Sequence, residues 1–144
     1  MRTHTMAVLL LVSAACSGPP REAAEPHRSS APLALIGTVW NLVELDGKSG
    51  ATGQGGKPAT LELTAEGTRA SGFAGCNRMA GTYDLQGDKL RLGPLALTRM
   101  ACESGMELEQ AYVEALNATR TFTVSSTGLE LAGESGPVAR FEAQ

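Results

Sequence analysis

The stretch GFAGCNRMAGTY, Gly72–Tyr83, sets a cysteine and an asparagine among three glycines. Glycines at 72, 75 and 81 permit a bulge or a close backbone approach where a sheet bends. Asn77 can satisfy the backbone groups that such a bend exposes. The segments on either side read as strands. Upstream, Ala59–Thr64 alternates with Leu61 and Leu63 on one face, Ala65-Glu66-Gly67 turns, and Arg69–Ala74 returns. Downstream, Thr82–Leu85 and Lys89–Leu92 flank Gln86-Gly87-Asp88, which predicts a hairpin, and Leu95–Met100 forms a further short strand.

Farther out the pattern continues. Thr38–Leu45 is β-branched and apolar and closes on Asp46-Gly47. Lys48–Lys57, KSGATGQGGK, is glycine-rich and polar and reads as a mobile loop; it lacks the GxxxxGK(S/T) spacing of a phosphate-binding loop. Only one segment has helical period: Leu108, Ala111, Tyr112, Ala115 and Leu116, with Ser104 and Glu107 placed as a capping box. Arg120–Val124, Leu129–Leu131 and Val138–Phe141 are the last strands. The expected fold class is α+β, mainly β: a strongly bent, open barrel-like antiparallel sheet of about eight strands packed on one α-helix. With 144 residues, 42% apolar but only 4% aromatic, the core rests on Leu, Val and Ala.

The organisation is signal peptide 1–15, tether 16–35 and domain 36–144. Met6–Val12 is a short apolar run followed by the small residues Ser13-Ala14-Ala15, too short to span a bilayer. Cys16 follows directly and resembles the lipidated cysteine of bacterial lipoproteins, with Ser13 standing where leucine is usual. Ordinary cleavage after Ala15 is the alternative. Residues 17–34, rich in Pro, Ser and Ala, read as a flexible tether. Formal net charge is −3, and acids outnumber bases from Gly37 onward, which argues against nucleic acid as a partner.

Trp40-x-Leu42, Gly75-Cys76-Asn77 followed by Gly81-x-Tyr83, and Thr98-x-Met100-x-Cys102, in this order, resemble the META domain of HslJ-type bacterial envelope proteins. The resemblance spans Ile36–Phe141. It implies a small secreted or lipid-anchored domain with a bent antiparallel sheet around one helix. Some members of that family are linked to heat or antibiotic stress, and no catalytic residues are established for it.

Three chemistries compete for Cys76 and Cys102. A nucleophilic thiol needs a base, usually histidine, and the only histidines are His4 and His27, both ahead of the domain. The same gap removes a Ser-His-Asp triad. A zinc site would have to be completed by carboxylates. A disulfide suits an exported chain, with unpaired buried thiols as the alternative. If it forms, Arg78 and Arg99 come near each other, as a site for an anionic headgroup or carboxylate, or else paired with Glu103 or Glu107. Asn77 is a bend residue or a polar contact in a cleft. Trp40 and Leu42 read as core. Met79, Met100 and Met106 fill the core or line an adaptable cleft. Asp46, Asp84 and Asp88 read as turn residues, and no cofactor or metal is expected.

The functional expectation is a non-enzymatic, monomeric, lipid-anchored module of the bacterial cell envelope, periplasm-facing in a Gram-negative cell, with a stress-related binding or protective role. It would meet the membrane through its anchor only, and its partner would be an envelope protein or a small hydrophobic ligand. The alternatives are a carrier holding a lipid or apolar molecule between sheet and helix, and an enzyme of unrecognised type depending on Asn77 or Arg78.

Overall fold

The computed structural model describes residues 34–144. The expected signal peptide, Cys16 and nearly all of the expected tether lie outside the described residues. Ten strands and one helix follow in chain order. They are β1 (Val39–Leu45), β2 (Lys48–Ser49), β3 (Thr60–Thr64), β4 (Arg69–Phe73), β5 (Arg78–Gln86), β6 (Lys89–Leu92) and β7 (Ala96–Leu97). After these come α1 (Met106–Ala118), β8 (Thr121–Val124), β9 (Leu129–Gly133) and β10 (Gly136–Ala143).

Period-two alternation builds the sheet. In β3, Leu61 and Leu63 are fully buried while Thr60, Glu62 and Thr64 are not. Trp40, Leu42 and Leu45 on β1, Leu129 and Leu131 on β9, and Ala139 and Phe141 on β10 face the same interior. The strands run antiparallel in the order β1-β3-β4-β5-β6-β8-β9-β10. Closure comes from β10 pairing back onto β1, from Trp40↔Ala143 to Leu45↔Ala139, across a bulge between Leu42 and Glu44. The result is an eight-stranded closed barrel, of a size whose interior side chains fill. β2 pairs only with β1, and β7 only with β5.

One face of α1, formed by Leu108, Tyr112, Ala115 and Leu116, packs on this core, and the Tyr112 ring lies 6.2 Å from that of Phe141. At 13 residues α1 is far short of a membrane span, and no helix among the described residues is long and apolar enough for one. The helix begins differently from the expected capping box. Gly105 is the N-cap, in a left-handed conformation without a side-chain cap, and Ser104 instead donates through its N–H and hydroxyl to Gln54 Oε1. Asp84, expected in a turn, is an exposed residue of β5 and accepts from Gln86 Nε2. The core also starts a little before the expected boundary. Leu35 is buried, and its carbonyl accepts from the Trp40 indole N–H at 3.1 Å.

The Lys48–Lys57 segment is not a free loop. Lys48 and Ser49 form β2, Gln54–Gly56 is a 3-10 turn, and Gly53 is buried with its N–H bonded to the Lys57 carbonyl. Glycine content alone suggested mobility; instead Gly53 packs against the Gly75 backbone, while Gly50, Gly55 and Gly56 supply positive φ at the turns.

The Tyr112 hydroxyl is fully buried and has no hydrogen-bond partner among the described residues. Burial pushes its pKa well above the ordinary 10.0. An unmade buried hydrogen bond is costly, so Tyr112→Phe should raise stability by about 1 kcal/mol, read as a higher urea midpoint at unchanged slope. The pH dependence follows the same cause. Above pH 10.0 the unfolded chain ionises this phenol while the folded chain keeps its proton, so stability falls as pH rises. Tyr112→Phe should flatten that alkaline decline; an unaltered slope would assign it to other groups.

Candidate functional site

The β4–β5 connection, Ala74–Asn77, is a tight turn in which the Ala74 N–H donates to the Asn77 carbonyl at 2.8 Å. Cys76 in this turn is disulfide-bonded to Cys102, with Cα atoms 5.9 Å apart. Asn77 is buried beside the bond and uses nearly all of its hydrogen-bonding capacity. Its Oδ1 accepts from the Thr98 hydroxyl at 2.9 Å and from the Met100 N–H at 2.7 Å. Its Nδ2 reaches the Met100 carbonyl at 3.3 Å and Glu109 Oε1 at 3.2 Å, and its own N–H donates to Glu109 Oε2 at 2.6 Å. One side chain thus ties the bend, the segment before α1 and α1 itself.

Glu109 had no expected role. Its carboxylate takes both donors of Asn77, so Glu109→Ala leaves a buried N–H unmatched and should cost about 1–3 kcal/mol. Exposed Glu107 on the same helix is the control: Glu107→Ala should change the urea midpoint by less than about 0.5 kcal/mol equivalent. Equal effects would deny Glu109 its tie.

Beneath the disulfide, the Gly75 carbonyl is enclosed by backbone. It accepts from the Gln54 N–H at 2.6 Å, and a Cβ on either Gly53 or Gly105 would overlap its oxygen. Gly53, Gly75 and Gly105, from three distant parts of the chain, pack as bare backbone.

This framework supports an open cleft of about 1150 Å³ on the outside of the barrel. Its floor is the outer face of β1, β3, β4, β5 and β7, where register aligns Val39, Glu62, Ser71, Ala80 and Ala96 in one cross-strand row. The next row holds Asn41, Thr60, Phe73 and Arg78. There the Phe73 N–H donates to the Thr60 hydroxyl at 3.0 Å. Gln54, Lys57 and Pro58 form one wall, and Thr98 and Met100 the other. A smaller cleft of about 450 Å³ lies between β7 and α1, with Leu97, Met106 and Val113 beneath Glu107 and Glu114.

The expected site residues separate into two groups. Cys76, Cys102, Asn77, Thr98 and Met100 meet in the staple. Trp40, Leu42 and Tyr83 are core, and the Tyr83 hydroxyl donates to the Thr64 carbonyl at 3.2 Å. Gly81 sits where a Cβ would crowd the Pro94 carbonyl and the Leu95 side chain. Arg78 lines the cleft and Arg99 does not; both are exposed. The expected pairing of these arginines with Glu103 or Glu107 is absent among the described residues, since neither has a carboxylate within 4.0 Å. Met79 is core, whereas Met100 and Met106 are exposed.

The family model for the META domain matches residues 32–144, covering every strand and the helix just described. The chain belongs to the META domain family. The META domain is not a known enzyme family. Among solved structures, this META domain is similar to a protein from Burkholderia xenovorans determined by NMR. The two are 33% identical over 88% of this chain and 97% of the other, with a TM-score of 0.63. Another NMR structure is 24% identical over 73% of this chain and 88% of its own, with a TM-score of 0.56. The crystal structure of a DUF4847 family protein from Bacteroides vulgatus is 15% identical over 75% and 93% of the two chains, with a TM-score of 0.53. The latter two share the fold alone. No curated protein matches this META domain.

Proposed function

We propose that this META domain is a non-enzymatic binding module of the bacterial cell envelope, exported, anchored through lipid on Cys16, and working through the outer cleft with a protective role under envelope stress. The observation that carries the reading is the cleft itself. It is a large concavity in which apolar side chains such as Val39, Phe73, Leu97 and Met100 are interspersed with polar ones, and no histidine lines it to serve as a base. The disulfide supports an oxidising compartment. The carrier reading, by contrast, requires space between sheet and helix. There Trp40, Tyr112, Leu116 and Phe141 are all buried and fill the interior, so the outer cleft is favoured.

Ala80 lies exposed in the cleft floor. Ala80→Arg therefore blocks the cleft while leaving the core untouched. In a deletion strain challenged with heat or an envelope-directed antibiotic, the wild-type gene should restore growth and the Ala80→Arg gene should not. Full rescue by Ala80→Arg would remove the cleft from the function. The intact mass of envelope-purified protein should carry a lipid increment that Cys16→Ser abolishes; an unmodified Cys16 would defeat the anchor.

A further inference from the structure

The cleft has a chemical polarity along its strands. Lys57 and Arg78 stand at the disulfide end, both exposed and neither within 4.0 Å of a carboxylate among the described residues. Glu62 stands one cross-strand row away toward the other end, a displacement of about 7 Å along the strand. Around them the lining offers the apolar side chains Val39, Phe73, Leu97 and Met100, interspersed with the uncharged polar groups of Thr60, Ser71 and Thr98. The floor crosses five strands, about 19 Å at ordinary strand spacing.

The main chain of the floor is already committed. β1, β3, β4 and β5 are each paired on both sides, and only the two-residue β7 keeps a free edge, too short to hold a peptide strand by itself. Recognition must come from side chains: an apolar surface for contact area, and two cations at one end for orientation. Guanidinium and ammonium groups select carboxylate or phosphate oxygens, and Glu62 disfavours the reversed pose.

We infer that the cleft takes an anionic amphiphile, with its carboxylate or phosphate head held by Arg78 and Lys57 and its apolar chain running from that end of the cleft over Phe73, Leu97 and Val39. This rests on the cleft being the working surface. A fatty acid and a phosphate-headed lipid share this chemistry.

The test is amide NMR titration of the full chain carrying Cys16→Ser, which removes the proposed acyl anchor. The probes are dodecanoate, dodecyl phosphate and dodecyltrimethylammonium, each below its micelle concentration. Saturable shifts centred on Val39, Phe73, Arg78 and Leu97 are expected with the two anions. Tighter binding of dodecanoate would point to a fatty acid, and tighter binding of dodecyl phosphate to a phosphate-headed lipid. Arg78→Gln with Lys57→Gln should weaken both by roughly tenfold or more. These positions are exposed, and an unchanged spectrum outside the cleft verifies folding. Equal binding of the cationic probe overturns the inference while leaving the cleft a binding surface. Shifts at the same amides from an added envelope protein extract, but from no amphiphile, do likewise. Silence of the cleft toward all of them overturns both readings.

Discussion

Replacing Cys76 and Cys102 together by serine should cost about 3.5 kcal/mol. A bridge between residues separated by 26 positions removes roughly that much loop-closure freedom from the unfolded chain. Against the 5–15 kcal/mol typical of whole domains, this is a large share. The thermal midpoint should fall by roughly 10–20 °C, and reductant should shift the wild-type protein similarly. The bond holds the β4–β5 bend to the segment that leads into α1, so its loss also loosens the surroundings of Asn77. Urea unfolding of the variant, and of the wild type with and without reductant, checks this. A loss below about 1 kcal/mol would mean that the hydrogen bonds of Asn77 hold the junction alone.

Gly105→Ala should be similarly damaging, at about 2–5 kcal/mol. Gly105 has φ of +91°, a conformation that side chains rarely adopt, and a Cβ there would overlap the Gly75 carbonyl and approach the Gln54 N–H to 2.9 Å. All of these obstacles are backbone, so rotating a side chain cannot relieve them. The start of α1 must shift, drawing Glu109 from Asn77. Gly87→Ala isolates the conformational part. Gly87 also has positive φ, at +63°, but meets nothing within 4 Å. Its cost should be only about 1 kcal/mol in the same urea titration. Equal losses would show that packing around Gly75 contributes nothing.

Local period carried most of the architecture. Leu61 and Leu63 alternate with polar neighbours, and Leu108, Tyr112, Ala115 and Leu116 share a helical face; both patterns appear in the structure where the sequence puts them. The Cys76–Cys102 bond was legible because compartment and missing histidine leave a thiol little else to do. What was not legible depends on residues far apart in the chain. Nothing near Gly53 indicates that it abuts Gly75, and Glu109 resembles any acid in the first turn of a helix until Asn77 is seen opposite it. The same limit explains Arg78 and Arg99. Nearby acids suggested ion pairs, whereas the fold carries Arg78 onto the cleft.

The pairing of β10 with β1 also governs the order in which the chain can mature. The strand that shuts the barrel, Gly136–Ala143, follows every other strand of the domain in the chain, and its partner is the first strand of the domain. Until it arrives, β1 and β9 each present an unpaired edge, the kind of surface on which chains aggregate. Ring closure between sequence extremes also makes folding slow for a domain of this size. Removing the final strand would therefore yield an open, self-associating sheet rather than a slightly shorter barrel, and newly made molecules pass through that vulnerable form once in their lives.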